Sequence, residues 1–193
     1  LLATQSEFPL LPSQDKLRRA NVIMTKTTME DMRSLKYLGY SVVFQEVPDE
    51  ISLAINISGC PYKCEGCHSS YLWEYKGRYL KDDLEAMISK FNGITCVCFM
   101  GGDQNANELN AFINYIHSQG LKVCLYTGSD SVPCDVKNLD YIKIGHYAKE
   151  CGGLDSPTTN QKFYAIKDNK YIDQTFKFRK EIISAENYKE PMY

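Results

Sequence analysis

The chain has 193 residues, 44% hydrophobic and 24% charged, a balance that can fill one globular core. Lys and Arg number 22 against 24 Asp and Glu, a net charge of −2, which argues against a basic nucleic-acid binder and against a polybasic membrane-surface protein. No apolar run reaches the length of a membrane span.

In chain order, residues 1–28 read as an N-terminal tail outside the core, interrupted by Pro9 and Pro12, with Met24 or Met29 as candidate starts. Residues 29–193 read as a single domain. Ser41 to Val47 and Ile51 to Ser58 are strand-like and separated by Pro48-Asp49. Cys60 to Arg78 is a polar, cysteine-bearing loop. Leu84, Met87, Ile88 and Phe91 recur at helical spacing, which predicts a helix over Asp82 to Phe91 with Asp82 and Glu85 as a capping box and Asn92-Gly93 as its stop.

Ile94 to Met100 is continuously apolar, as a strand buried on both faces should be. Leu109, Phe112, Ile113 and Ile116 predict a second helix over Asn105 to Ser118, with Gly120 past its end. Leu121 to Tyr126 and Tyr141 to Ile144 read as two more strands, and the segment from Gln161 as a hairpin turning at Asp168-Asn169. Strands alternating with helices predict crossovers and a parallel sheet. About four parallel strands are too few for a closed eight-unit barrel, so the expected fold is α/β, an open partial (β/α) barrel with a C-terminal hairpin.

Eight cysteines are an unusual count: Cys60, Cys64, Cys67, Cys96, Cys98, Cys124, Cys134 and Cys151. A secreted disulfide scaffold is expected to be smaller and led by a signal peptide, which the N-terminus does not resemble. The expected compartment is therefore the reducing cytoplasm, with thiols serving as ligands or as small core residues. Cys96, Cys98 and Cys124 fall inside apolar strands and read as core. Cys134 and Cys151 are isolated and no role is assigned to them. His117 reads as the end of a helix, where a cation suits the dipole, and His146 as a loop residue of unassigned role.

The informative segment runs from Gly59 to His68 and follows a strand. Sites in α/β sheets gather at the C-terminal ends of strands. Cys60, Cys64 and Cys67 form a CxxxCxxC pattern on one loop, and thiolates are natural ligands for iron–sulfur clusters and for zinc. Three ligands would hold a cubane cluster and leave one iron open to a substrate. The competing reading is a zinc knuckle of Cys60, Cys64, Cys67 and His68, in which adjacent Cys67 and His68 would have to strain toward one ion. Gly101-Gly102-Asp103 ends the next strand and faces the same rim. There, glycines admit a close ligand and a carboxylate can accept from an ammonium group.

This combination resembles the radical S-adenosylmethionine superfamily, marked by CxxxCxxC after one strand and Gly-Gly-Asp after the next. More narrowly it resembles the activating proteins of anaerobic ribonucleoside-triphosphate reductases. The likeness covers about Val43 to Gln161 and includes the Ser58-Gly59-Cys60 lead-in, Gly66, Trp73 and Tyr126-Thr127-Gly128. The chain departs from that pattern at Gln104, where the family usually has Pro, at Ile144-Gly145, and at Thr158-Thr159-Asn160-Gln161.

The resemblance implies that Cys60, Cys64 and Cys67 hold a [4Fe–4S] cluster and that S-adenosylmethionine binds its open iron. Gly101, Gly102 and Asp103 would contact the methionine end, and the backbone of Gly66, Cys67 and His68 the adenine side. One electron, from a donor such as flavodoxin or ferredoxin, would split the sulfonium. The resulting 5′-deoxyadenosyl radical would take hydrogen from a glycine of a large glycyl-radical reductase subunit. No side chain need act as acid or base. Few residues follow the fourth strand, so an open side would suit a peptide substrate. Two alternatives stand beside this reading: a radical enzyme acting on another glycyl-radical protein or a small molecule, and a zinc-binding interaction module.

Overall fold

A computed structural model describes residues 34–179. The tail expected over residues 1–28 lies outside them. Eight strands form one mixed sheet: β1 (Lys36–Val43), β2 (Ser52–Ile57), β3 (Arg78–Tyr79), β4 (Cys96–Met100), β5 (Lys122–Tyr126), β6 (Tyr141–Ile144), β7 (Lys162–Lys167) and β8 (Lys170–Asp173). Their spatial order is β3-β1-β2-β4-β5-β6-β7-β8. The four central strands, β2, β4, β5 and β6, run parallel, with antiparallel pairs on both flanks.

Helix α1 (Leu80–Lys90) lies between β3 and β4, and α2 (Ala106–Ser118) between β4 and β5. The link from β5 to β6 holds no helix. Among the described residues no helix is long and apolar enough to cross a membrane.

Alternation along β4 and β5 divides the core in two. Val97, Phe99, Val123 and Leu125 lie in the larger core with Leu84 and Met87 of α1 and Leu109, Ile113 and Ile116 of α2. The last three are fully buried, each worth about 1.5–3 kcal/mol by area. The intervening residues Cys96, Cys98 and Cys124 join Val47 and Phe163 in a second core. These three cysteines are thus packing residues, as read from their strands. Burial pushes the Cys96 and Cys124 thiols up, which keeps them protonated and unreactive.

Two expectations need correction. The first strand begins at Lys36 and ends at Val43, rather than running from Ser41 to Val47. Beyond Val43 the alternation fails: Phe44 is 69% exposed, while Val47 turns into the second core. Helix α1 starts two residues before Asp82, so Asp82 sits inside its first turn and Tyr79 takes the N-cap without a side-chain bond. The expected capping box does not form. Asp83 instead accepts from Tyr37 Oη at 2.8 Å and from Arg78 at 2.5 Å, tying α1 to β1 and β3.

The end of α2 matches its sequence signal. Gly120 N donates to His117 O at 2.9 Å and Leu121 N to Ile116 O at 3.3 Å, the paired bonds of a Schellman motif. The β7–β8 turn also falls where expected. Asp168 and Asn169 take φ of 51° and 58°, as a type I′ hairpin requires.

Candidate functional site

The C-terminal ends of the parallel strands carry four loops that together form the site. The first follows β2. Ser58 is buried there, and its Oγ donates to Lys76 O at 2.5 Å. Gly59 N and Cys60 N donate to Leu72 O at 2.7 and 3.0 Å, which pins the loop's entry to the 3-10 turn Ser70–Leu72. Lys63 (φ 46°) and Gly66 (φ 73°) turn the chain back, and Cys67 N reaches Cys64 O at 3.1 Å. Cys60, Cys64 and Cys67 are half-buried, and none is in a disulfide.

The second loop follows β4. Gly101 and Gly102 take φ of 96° and 115°, a region that favours glycine, and swing the chain into the 3-10 turn Asp103–Asn105. Gln104 bridges two loops: its Oε1 accepts from Gly102 N at 3.1 Å and its Nε2 donates to Ser58 O at 3.1 Å. This bridge was not anticipated from the sequence.

The third loop follows β5. Thr127 is buried, and its Oγ1 donates to Asp103 Oδ2 at 2.7 Å. Tyr62, from the middle of the cysteine loop, donates to the same Oδ2 at 2.9 Å.

The fourth loop follows β6. Gly145 N donates to Ser129 O at 2.6 Å, and His146 Nδ1 pairs with Asp130 Oδ1 at 2.7 Å. Asn160 Nδ2 donates to His146 O at 2.9 Å, which seats the Thr158-Thr159-Asn160-Gln161 segment on this rim. His146 is thus an exposed rim residue paired with Asp130. His117, in the last turn of α2, pairs with Asp140 at 2.9 Å.

These loops, with Phe44–Glu46, Pro48, Asp49 and Lys177–Arg179, line a cleft of about 1290 Å³. Of the metal- and cofactor-binding residues expected from sequence, Cys60, Cys64, Cys67, His68, Gly101 and Asp103 line it. Gly66 and Gly102 do not. Gly66 lies against Tyr147 and Lys149, and Gly102 packs on Leu35 and Leu109. Lys143 also lines the cleft and was missed, although a lysine inside the apolar strand Tyr141–Ile144 was a visible signal. It is 8% exposed, and its Nζ donates to Gly145 O at 2.6 Å. Burial lowers its pKa to about 8, against the opposing charge of Cys64, Cys67 and Cys60.

The donor set suits a cluster. Three free, half-buried thiols from one loop face a cleft with room for both a cluster and a ligand. A four-iron cube takes its thiolates at separate corners, so its ligands need not converge on one point. Among the described residues, no group of three or more His, Cys, Asp or Glu is placed to hold a metal ion.

No curated protein and no solved structure matches the chain. A family model described as a 4Fe-4S single cluster domain matches residues 51–144, from just before β2 to the end of β6. The matched span holds all three thiols of the cysteine loop and the rims after β4 and β5, and it supports an iron–sulfur protein with a 4Fe-4S cluster.

Proposed function

We propose that this chain is an S-adenosylmethionine-dependent activase that makes a glycyl radical on a large anaerobic ribonucleotide reductase, its sheet serving as an open partial barrel. One observation carries the reading. Three free thiols on the loop after the first parallel strand share a cleft with a carboxylate on the loop after the second, within the span matched by the 4Fe-4S model.

Cys60, Cys64 and Cys67 would hold the cluster. When bound, it supplies the single electron that splits S-adenosylmethionine into methionine and a 5′-deoxyadenosyl radical, which then takes hydrogen from a glycine Cα. The chain's own residues bind and orient. Asp103 offers a carboxylate to the ammonium group of the methionine end. The backbone at Gly101 admits that end closely, and the backbone of Cys67 and His68 takes the adenine side. Leu72, Met100 and Phe178 give the cleft apolar walls that limit water around a reactive radical. A donor of the flavodoxin or ferredoxin class would supply the electron.

The test is anaerobic reconstitution of the full chain with iron and sulfide, followed by reduction, S-adenosylmethionine and the candidate reductase. The expected result is a brown protein and a glycyl-radical doublet by electron paramagnetic resonance. A colourless protein holding one zinc per chain would overturn the enzyme reading. S-adenosylmethionine cleavage without the doublet would move the substrate to another protein or a small molecule.

A further inference from the structure

Tyr62 stands between two of the proposed ligands, yet its side chain reaches across to the neighbouring loops. Its hydroxyl donates to Asp103 Oδ2 at 2.9 Å and lies 3.4 Å from Thr127 Oγ1. Its ring covers Gly128 so closely that a Cβ there would stand 2.6 Å from Tyr62 Cδ2 and 2.7 Å from Cγ. The missing side chain at Gly128 is therefore the seat of the Tyr62 ring. Both hydroxyl donors use Oδ2 of Asp103, and Oδ1 has no hydrogen-bond partner among the described residues.

We propose that Tyr62 is a positioning residue: a clasp that fixes the cysteine loop to the rims after β4 and β5 and sets the Asp103 carboxylate with Oδ1 left for a cationic ligand group. The ring supplies shape against Gly128 and the hydroxyl supplies direction through Asp103. The clasp joins the loop that carries the thiols to the carboxylate that would meet the ligand. They then move as one unit before any cluster is present. The inference rests on the S-adenosylmethionine reading only for the identity of the ligand, not for the clasp itself.

The test uses the full chain in two states. In the metal-free, reduced protein, amide hydrogen exchange is followed for residues 60–68 in wild type, Tyr62→Phe and Gly128→Ala. Loss of a bond to a carboxylate predicts exchange about fivefold faster in Tyr62→Phe. Gly128→Ala, which keeps the hydroxyl but displaces the ring, should do the same. In a Tyr62→Ala background, Gly128→Ala should add nothing. In the reconstituted protein, Tyr62→Phe should raise KM for S-adenosylmethionine about fivefold while kcat for its cleavage stays within about twofold.

Exchange unchanged from wild type overturns the clasp. An unchanged KM beside faster exchange overturns the part of the proposal in which Tyr62 sets the Asp103 carboxylate for the ligand. A lowered KM overturns that part too, since Tyr62 would then be an occupant that the ligand displaces. A reconstituted wild type that cleaves no S-adenosylmethionine defeats the functional reading instead, and the exchange data still decide the clasp.

Discussion

Glu50 offers the sharpest test of how the sheet is held, because it anchors the ends of the parallel strands opposite the cysteine-loop rim. It is 7% exposed, just ahead of β2. Its carboxylate accepts from Thr95 Oγ1 and Tyr141 Oη, each at 2.6 Å, and from Lys122 Nζ. Thr95 precedes β4, Lys122 opens β5 and Tyr141 opens β6, so one carboxylate gathers the starts of four parallel strands. Burial alone would raise its pKa, but the bonds from Lys122, Thr95 and Tyr141 outweigh it and hold the carboxyl below the ordinary range. Tyr141 is pushed up to about 12 by burial and by Glu50.

Glu50→Gln keeps the size and one acceptor but removes the charge. Each of the two hydroxyl donors then falls from a charged to a neutral bond, about 1 kcal/mol apiece. The Lys122 pair adds no more than about 1 kcal/mol, because Lys122 is 52% exposed and screened by solvent. The expected loss is about 2–3 kcal/mol at pH 7, read from urea unfolding of the metal-free chain. A depressed carboxyl stabilises above its unfolded pKa, and that stability is lost as pH falls through the folded value. The gap between variant and wild type should therefore begin to close below about pH 4. Equal midpoints at pH 7, or a gap that stays constant into acid, would refute the reasoning. Cluster content after reconstitution should not change.

Two further outcomes follow from named contacts. Gly77→Ala would place a Cβ 2.1 Å from the Tyr37 carbonyl oxygen at φ 103°, so a loss of about 2–5 kcal/mol is expected in the same unfolding assay. Cys64→Ala should abolish both the brown chromophore and S-adenosylmethionine cleavage, while Cys134→Ala, exposed and outside the cleft lining, should keep both, as measured by iron and sulfide per chain and by product chromatography.

The parts of the fold that were legible are those in which a local rule and tertiary packing agree. The apolar run of β4 is buried as read, β5 forms where a strand was expected, and the helical stripe Leu109-Ile113-Ile116 lies in the same core as the sheet. Asp168-Asn169 turns the hairpin because both residues tolerate positive φ. The misreadings came where tertiary contacts overrode a short motif. Asp83 was drawn to Tyr37 and Arg78, and α1 began at Leu80, so the apparent capping box fell one turn out of place. Phe44 to Val47 has strand composition, but the chain leaves the sheet at Val43 and buries Val47 in the second core with Phe163.

In the site, motif spacing marked the thiols and Asp103, residues whose chemistry is visible in their type. The residues that join the loops to each other were not visible, because their partners lie 41 to 65 positions away in Tyr62–Asp103, Ser58–Gln104 and Tyr62–Thr127. This follows from where the site lies. At the C-terminal rim the chain leaves the sheet, so ladder bonds and buried apolar contacts no longer set the spacing of the loops. Side-chain bonds between loops must do so: Gln104 holds the cysteine loop's entry, Tyr62 and Thr127 hold Asp103, and the Ser129–Gly145 bond joins the loops after β5 and β6. Each such bond is worth only about 1 kcal/mol on its own, so the rim is exact only while all of them are made together. The fixed base around Glu50 and the bonded rim around Asp103 thus divide the labour. Substitutions at the base should cost stability with the site intact, and substitutions at the rim should cost ligand geometry with stability nearly intact.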